Sequence, residues 1–365
     1  MIEEIKKEYS HFRVRALNVL GFLTYRCTSQ CRTCNIWKRN SDSNVNELSK
    51  KEWQIILSRL KKYGIQSFEV FGGDALLRKD IIFDMIRYCH SNHIKTYFPT
   101  NGNLCDRETI NGLIDAGLDS IYLSIDDIED KHDSIRGVEG TFHRIQKTLD
   151  ILFDEKSKKN SQYPKVMIIT TISNMNFMNL PNIIKYFERY PIDCIYPRNL
   201  VEFSKDNIDK STLDGCSPDP FFVSSKSESH LLNTEQLKEF KQIIKEFKKN
   251  KSGPYVNFRD IAMAEDKTFV ESNYGYKKCH AATTFTVINP NGDVVPCPFY
   301  NKYVLGNLLD NDLEDIWGNK KHREFIKLQN DRKIPLCQNC NLPVYHPSVI
   351  DSLKYYSIRL KDLIV

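Results

Sequence analysis

Two sets of cysteines carry the chemistry of this chain. Cys27, Cys31 and Cys34 stand in the stretch CTSQCRTC, a C-x3-C-x2-C spacing. Thiolates ligate zinc and iron–sulfur clusters. A structural zinc site is closed by four ligands, and the residues after Cys34 are Asn35, Ile36 and Trp37, with no Cys or His among them. Three thiolates on one loop can instead hold three irons of a cubane and leave the fourth to a non-protein ligand. The second set is Cys279, Cys297, Cys337 and Cys340. Cys279 and Cys297 flank TTFTVINPNGDVVPC, which reads as a hairpin turning at Gly292, and Cys337 and Cys340 follow a helical stretch. On spacing alone this set is a zinc ribbon or an iron–sulfur site. Cys89, Cys105, Cys194 and Cys216 stand alone.

The elements around the first set alternate. Strands are expected at 16–25, 67–71, 94–98, 120–125, 165–172 and 194–197. Helices fall between them, the first opened by a capping box of Ser49 and Glu52 and stopped by Gly64. Successive βα units imply a parallel sheet with right-handed crossovers, open or curled into a barrel. Sites on such sheets lie at the C-terminal ends of the strands, and Cys27 to Cys34 directly follow the first strand. Residues 199–230 are turn-rich and polar, a long loop that could cover the site. A charged helix follows near 233–250, and 255–365 forms a separate cysteine-bearing region.

Composition sets limits. The chain has 365 residues, 41% hydrophobic and 27% charged, and a net charge of +5. That mild charge forms no basic stripe, so a nucleic-acid substrate is not expected. No apolar run approaches the ~18 residues of a membrane span. The N-terminus lacks a signal-peptide core. A cytoplasmic protein is expected, where eleven cysteines serve metal sites or catalysis and not disulfides.

In its first cysteine loop the chain resembles the radical S-adenosylmethionine (SAM) family, whose signature is C-x3-C-x2-C after strand one. The order of later motifs agrees: FGGDALLR (71–78) after strand two, TNG (100–102) after strand three, LSIDD (123–127) ending strand four, HDSIRG (132–137) after it, and IITTISN at strand five. The resemblance implies a partial (β/α)6 barrel followed by a small α+β domain. It implies SAM contacts at Gly72, Gly73, Asp74, Thr100, Asn101, Ser124, Asp126, Arg136 and Thr171, with Asp74 on the amino group and Arg136 on the carboxylate. Two departures stand out. Asp74 and Ala75 replace the family's Glu and Pro, and Thr33 replaces the aromatic residue before the third cysteine, for which Trp37 or Tyr25 could compensate. The region around Cys279 to Cys340 resembles the SPASM/twitch extension in its shorter, four-cysteine form. That implies two [4Fe–4S] clusters, the second closed by protein ligands. The expected organisation is an N-terminal extension (1–15), barrel (16–230), linking helix (231–254), cluster domain (255–345) and C-terminal helix or tail (346–365).

By this resemblance the chain cleaves SAM to a 5′-deoxyadenosyl radical that takes hydrogen from a substrate, with an electron donor such as flavodoxin or ferredoxin. A fully ligated second cluster suits net oxidation. His280 and Asp293 are candidate bases, and Cys216 a candidate hydrogen-atom donor. Only about fifteen residues precede strand one, too few for the leader-binding domain that peptide maturases often carry. A small metabolite such as a sugar or aminocyclitol is therefore the expected substrate, with a ribosomal peptide second. A non-catalytic iron–sulfur electron carrier is the alternative of another class.

Overall fold

The computed structural model describes residues 14–42, 46–249, 253–345 and Leu353. The expected N-terminal extension and C-terminal tail fall almost entirely outside these residues. Among them, nine strands form one sheet in the order β6-β5-β4-β3-β2-β1-β7-β8-β9. The first six are β1 (Asn18–Phe22), β2 (Ser67–Phe71), β3 (Lys95–Thr100), β4 (Ser120–Ser124), β5 (Lys165–Ile172) and β6 (Cys194–Asn199), all parallel. The helices between them are α1 (Lys50–Tyr63), α2 (Lys79–Ser91), α3 (Arg107–Asp115), α4 (Glu129–Arg136), α5 (Thr141–Lys158) and α6 (Leu180–Phe187).

Local chemistry sets these elements. On α1, Ser49 and Glu52 form the reciprocal capping box, and Gly64 ends the helix at φ 89°. Its apolar stripe of Trp53, Ile56, Leu57 and Leu60 is buried. Each such side chain contributes about 1.5–3 kcal/mol relative to exposure. Alternation divides β2 to β6, whereas β1 is buried on both faces from Val19 to Phe22. Phe68, Val70, Phe98, Ile121, Leu123, Val166 and Ile168 join the packed core. Glu69, Tyr97, Tyr122, Met167 and Tyr196, on the opposite pleat, stay partly accessible. That second face is concave. Strands β2 and β6 are four steps apart, roughly 19 Å along a flat sheet, yet Glu69 of β2 and Arg198 of β6 interact electrostatically. The sheet therefore curls into a partial barrel around a lumen.

The cysteine-bearing region is not a detached domain. Its first strand, β7 (Phe285–Ile288), pairs in parallel with β1, from Asn18 opposite Phe285 to Gly21 opposite Ile288. The expected hairpin follows, with β8 (Asp293–Val295) antiparallel to β7 and Gly292 at φ 88° in the turn. A short β9 (Gly306–Asn307), which has no apolar alternation to announce it, closes the edge. The linking helix α7 spans Thr234–Lys249, and α8 spans Lys320–Asn330. No helix among the described residues is long and apolar enough to cross a membrane. Cys89, Cys105 and Cys194 are buried, at home as small apolar side chains.

Candidate active site and auxiliary cluster region

The first cysteine loop is held by its neighbours from three sides. From the β2–α2 loop, Gly73 N–H donates to the Thr24 carbonyl (3.0 Å) and Asp74 N–H to the Arg26 carbonyl (2.8 Å). A Cβ at Gly72 would stand 2.7 Å from the Thr24 oxygen, and one at Gly73 only 2.3 Å from the Arg26 oxygen. The two glycines thus answer first to the cysteine loop's own backbone. From the β3–α3 loop, the Asn101 amide donates to Thr28 Oγ1 (3.0 Å) and Ser29 Oγ (3.1 Å). Asn103 reaches the same two hydroxyls at 3.2 and 3.1 Å. Thr100 Oγ1 accepts from Gly102 N–H and shapes that turn. From the end of α4, the carbonyls of Arg136 and Ile135 accept from Gln30 N–H (3.0 Å) and Arg32 N–H (2.9 Å). Gly137, at φ 68°, lies so close that a Cβ would meet the Gln30 oxygen at 2.4 Å.

Asp74 is buried. Its Oδ2 accepts from Thr28 Oγ1 (2.5 Å) and its Oδ1 from Leu76 N–H (3.2 Å). Burial raises its pKa, opposed by these hydrogen bonds. Asp126, expected to face SAM, has protein partners on both oxygens. It is 2% exposed, and its oxygens are engaged by Thr171 N–H (2.8 Å) and Arg136 Nη2 (2.9 Å). Its backbone is fixed by His132 Nδ1 and by the amide of Asn176. A carboxylate so occupied orients Arg136. The guanidinium also donates from Nη1 to Cys31 Sγ (3.6 Å), and its buried Nε has no partner among the described residues. Burial works against this cation, but Asp126 and the Cys31 sulfur more than offset it. Ser124 and Thr171 lie on the lumen face near the strand ends.

The residues fit an iron–sulfur cluster and SAM. The thiols influence one another electrostatically, and burial pushes Cys27 to about 11 and Cys34 to about 12. Such thiols become thiolates when a metal supplies the compensating charge. The partnerless Nε of Arg136 is a donor suited to an anionic ligand beside the loop. Tyr25 does not replace the missing aromatic residue: it is buried against Phe22 and donates to Asn289 Oδ1 (2.9 Å) at the β7–β8 turn. The long 199–230 segment packs over the loop, its Phe221 carbonyl accepting from Asn35 N–H and its ring stacked on Phe71 at 6.1 Å.

The second set gathers at the other end of the shared sheet. Cys279 precedes β7 and Cys297 follows β8, so the hairpin brings them together. Cys337 and Cys340 join them, and burial followed by the other sulfurs pushes both well up. Among the described residues no three side chains of suitable type converge tightly enough to share one ion. Gln329 ties α8 to this segment, donating to the Lys277 carbonyl (2.9 Å) and accepting from Cys279 N–H (3.4 Å). Ser211 of the long loop ties in the rest: its hydroxyl accepts from Leu336 N–H and its carbonyl from Tyr300 Oη.

Neither candidate base faces the lumen. His280 is buried beside Cys279, at the end of the sheet remote from the first loop. Asp293 lies at the hairpin turn, its two oxygens held by the amides of Asn291 (2.7 Å) and Asn307 (2.9 Å). Cys216 donates to the Lys302 carbonyl. Thr28, Asn103, Asn176, Gln329 and Ser211 went unread in the sequence. Polar residues inside loops carry no periodic signal, and only the proximity of Asn103 to TNG pointed to one of them.

A curled parallel barrel with three cysteines on its first loop, and a four-cysteine region added to its edge, defines a radical enzyme that uses a [4Fe–4S] cluster and SAM. Residues 22–187 match the Radical SAM superfamily and residues 279–341 match SPASM, an iron–sulfur cluster-binding domain. The chain belongs to the radical SAM superfamily and carries a C-terminal SPASM-type domain, which implies further iron–sulfur ligation there. It is 24% identical over 340 residues to Fe-coproporphyrin III synthase of Methanosarcina barkeri, covering 88% of this chain and 80% of that protein. It is 34% identical over 137 residues to PqqA peptide cyclase of Methylocella silvestris, 36% of each. Mycofactocin maturase MftC of Mycobacterium ulcerans is 21% identical over 322 residues, 87% of this chain and 78% of that one. Among solved structures, Streptococcus suis SuiB bound to precursor peptide SuiA shares the fold at a TM-score of 0.61 and 17% identity, covering 93% of this chain and 74% of that one.

Proposed function

We propose that this enzyme oxidatively modifies a peptide. The observation that carries the reading is the company the chain keeps: a PqqA peptide cyclase and a mycofactocin maturase stand among its relatives, the latter along most of its length. This replaces the small sugar or aminocyclitol expected from the short stretch before β1. The lumen supports it, since a concave face lined by Glu69, Phe71, Tyr97 and Tyr122 offers polar and aromatic contacts to a side chain. When bound, the cluster and SAM supply reductive cleavage to a 5′-deoxyadenosyl radical. Cys27, Cys31 and Cys34 would hold that cluster. Asp74 would accept from the SAM amino group, and Arg136, aimed by Asp126, would meet its carboxylate. Thr100 and Asn101 fix the loop beneath it, and Ser124 and Thr171 line the approach. Cys279, Cys297, Cys337 and Cys340 would hold the auxiliary cluster that accepts an electron. The test offers anaerobic, reconstituted enzyme the tryptic peptides of a fully deuterated proteome. Deuterium should enter 5′-deoxyadenosine. No transfer from any peptide, with transfer from a deuterated tetrapyrrole, would favour the second reading, a tetrapyrrole carboxylate. The porphyrin and haem synthases among its relatives, matched over 86–88% of this chain, support that reading.

A further inference from the structure

Glu69 sits in the middle of β2, three residues before Gly72, on the strand face that looks into the lumen. It faces Leu20 of β1 and Tyr97 of β3 in register. Tyr97 and Tyr122 cross at 6.3 Å, and Arg198 lies 5.9 Å from the ring of Tyr196. These five side chains interact electrostatically as one group inside the barrel, the Tyr122 hydroxyl feeling Tyr196, Glu69, Tyr97 and Arg198. They form a polar layer just below the loop that carries Asp74 and the strand ends that carry Ser124 and Thr171.

Within that layer Glu69 is exceptional. Its carboxyl makes no hydrogen bond and no ion pair among the described residues; Arg198 acts on it only through space. A half-buried carboxyl without a protein partner gives up part of its hydration at a cost, and a packed core would hold an apolar residue there. Burial raises it to about 7, so it is both acceptor and donor near neutral pH. Every other acidic group discussed at this end of the barrel is committed: Asp74 to Thr28 and Leu76, Asp126 to Thr171 and Arg136.

We propose that Glu69 is the substrate-binding carboxyl of the lumen. It receives an N–H or O–H donor from the residue of the peptide that enters the barrel, and the three tyrosines pack around that side chain. The assignment rests on the peptide reading for the nature of the substrate. It makes the modified residue a polar, donor-bearing one such as serine, threonine or lysine, and not an aliphatic one.

Equilibrium dialysis of iron-replete, SAM-loaded protein tests this, with radiolabelled N-acetyl amides of serine, lysine and leucine as probes. The serine or lysine amide should bind wild type and bind Glu69→Ala at least tenfold more weakly. Glu69→Gln, which keeps an acceptor oxygen and nearly the same shape, should fall between. The leucine amide should not discriminate. Iron content and SAM affinity report on folding; if the alanine variant fails to load iron, the glutamine variant decides. Equal affinity in wild type and variants overturns the proposal, and so does wild type that binds neither donor-bearing amide. Deuterium transfer from the peptide pool to 5′-deoxyadenosine separates the two readings. Transfer alongside equal affinity leaves the peptide reading standing without Glu69. Discrimination at Glu69 without any transfer leaves the binding site standing without the peptide reading.

Discussion

The two cysteine sets are built in opposite ways. The first lies within eight residues of one loop, and the protein itself holds that loop: Asn101 and Asn103 grip Thr28 and Ser29, and the end of α4 bonds to Gln30 and Arg32. The second is collected from three separated segments, with Gln329 and Ser211 as the polar ties described above. A preorganised loop can hold its metal with one position open, because the backbone needs no fourth ligand to keep its shape. A site gathered from distant segments depends on the metal to close it, since binding there is also folding. The difference matches the proposed division of labour, with exchangeable SAM at one end and a closed electron acceptor at the other.

Removing each set should break the comparison unequally. Changing Cys27, Cys31 and Cys34 together to Ala should abolish release of 5′-deoxyadenosine from SAM, with iron falling from about eight to about four per chain. The fold of the barrel should persist, because the loop is tied by hydrogen bonds. Undiminished SAM cleavage in the triple variant would refute the assignment. Changing Cys337 and Cys340 to Ala should remove the same amount of iron with the reverse outcome. Some uncoupled SAM cleavage should survive, oxidised product should vanish, and hydrogen exchange should rise across 279–340. Unaltered exchange there would show that the metal does not close the region. One zinc and about four irons in the wild type would make the second site structural.

A smaller effect is expected at Asp74, which serves the first set from outside it. Loss of a hydrogen bond to a charged group costs about 1.5–3 kcal/mol, so Asp74→Ala should weaken SAM binding roughly ten- to a hundredfold with iron content intact. Calorimetric titration of the anaerobic protein checks this. Loss of iron with unchanged SAM affinity would mean that Asp74 serves only to position Thr28.

The first set was easier to read than the second for the same structural reason. Spacing within one loop is a sequence property, and the alternation of strands around it placed the loop at the strand ends; the expected ranges 67–71 and 165–172 coincide with β2 and β5. The parallel pairing of β7 with β1 joins residues more than 260 positions apart, and no local pattern reports it. The partners of Asp126 within the protein, Thr171 and Arg136, were not legible, because they depend on Arg136 folding back from α4. Glu69 was passed over because, inside a short strand, it looks like an ordinary solvent-facing residue. Only the curl of the sheet turns that face inward.

The smallest effect separates the two regions by acid. Each contains a buried histidine with its pKa lowered by burial: His132 under the first loop and His322 on α8. His322 is held at both nitrogens, Nδ1 accepting from Gly318 N–H (2.9 Å) and Nε2 lying 2.7 Å from the Ala282 carbonyl. Its folded value, about 4, lies below the 6.5 of an ordinary histidine. The unfolded chain therefore takes up the proton first. The contribution of neutral His322 is complete above about 6.5 and is lost as pH falls towards 4, a span of at most about 3 kcal/mol. His322→Gln cannot titrate, so its denaturation midpoint should fall less steeply than the wild type's between pH 6.5 and 4. The loosened amides on acidification should be those of 279–330, since the ring joins α8 to the segment leading into β7. Parallel curves for variant and wild type would assign the acid sensitivity elsewhere, with His132 and the barrel loops the next place to look.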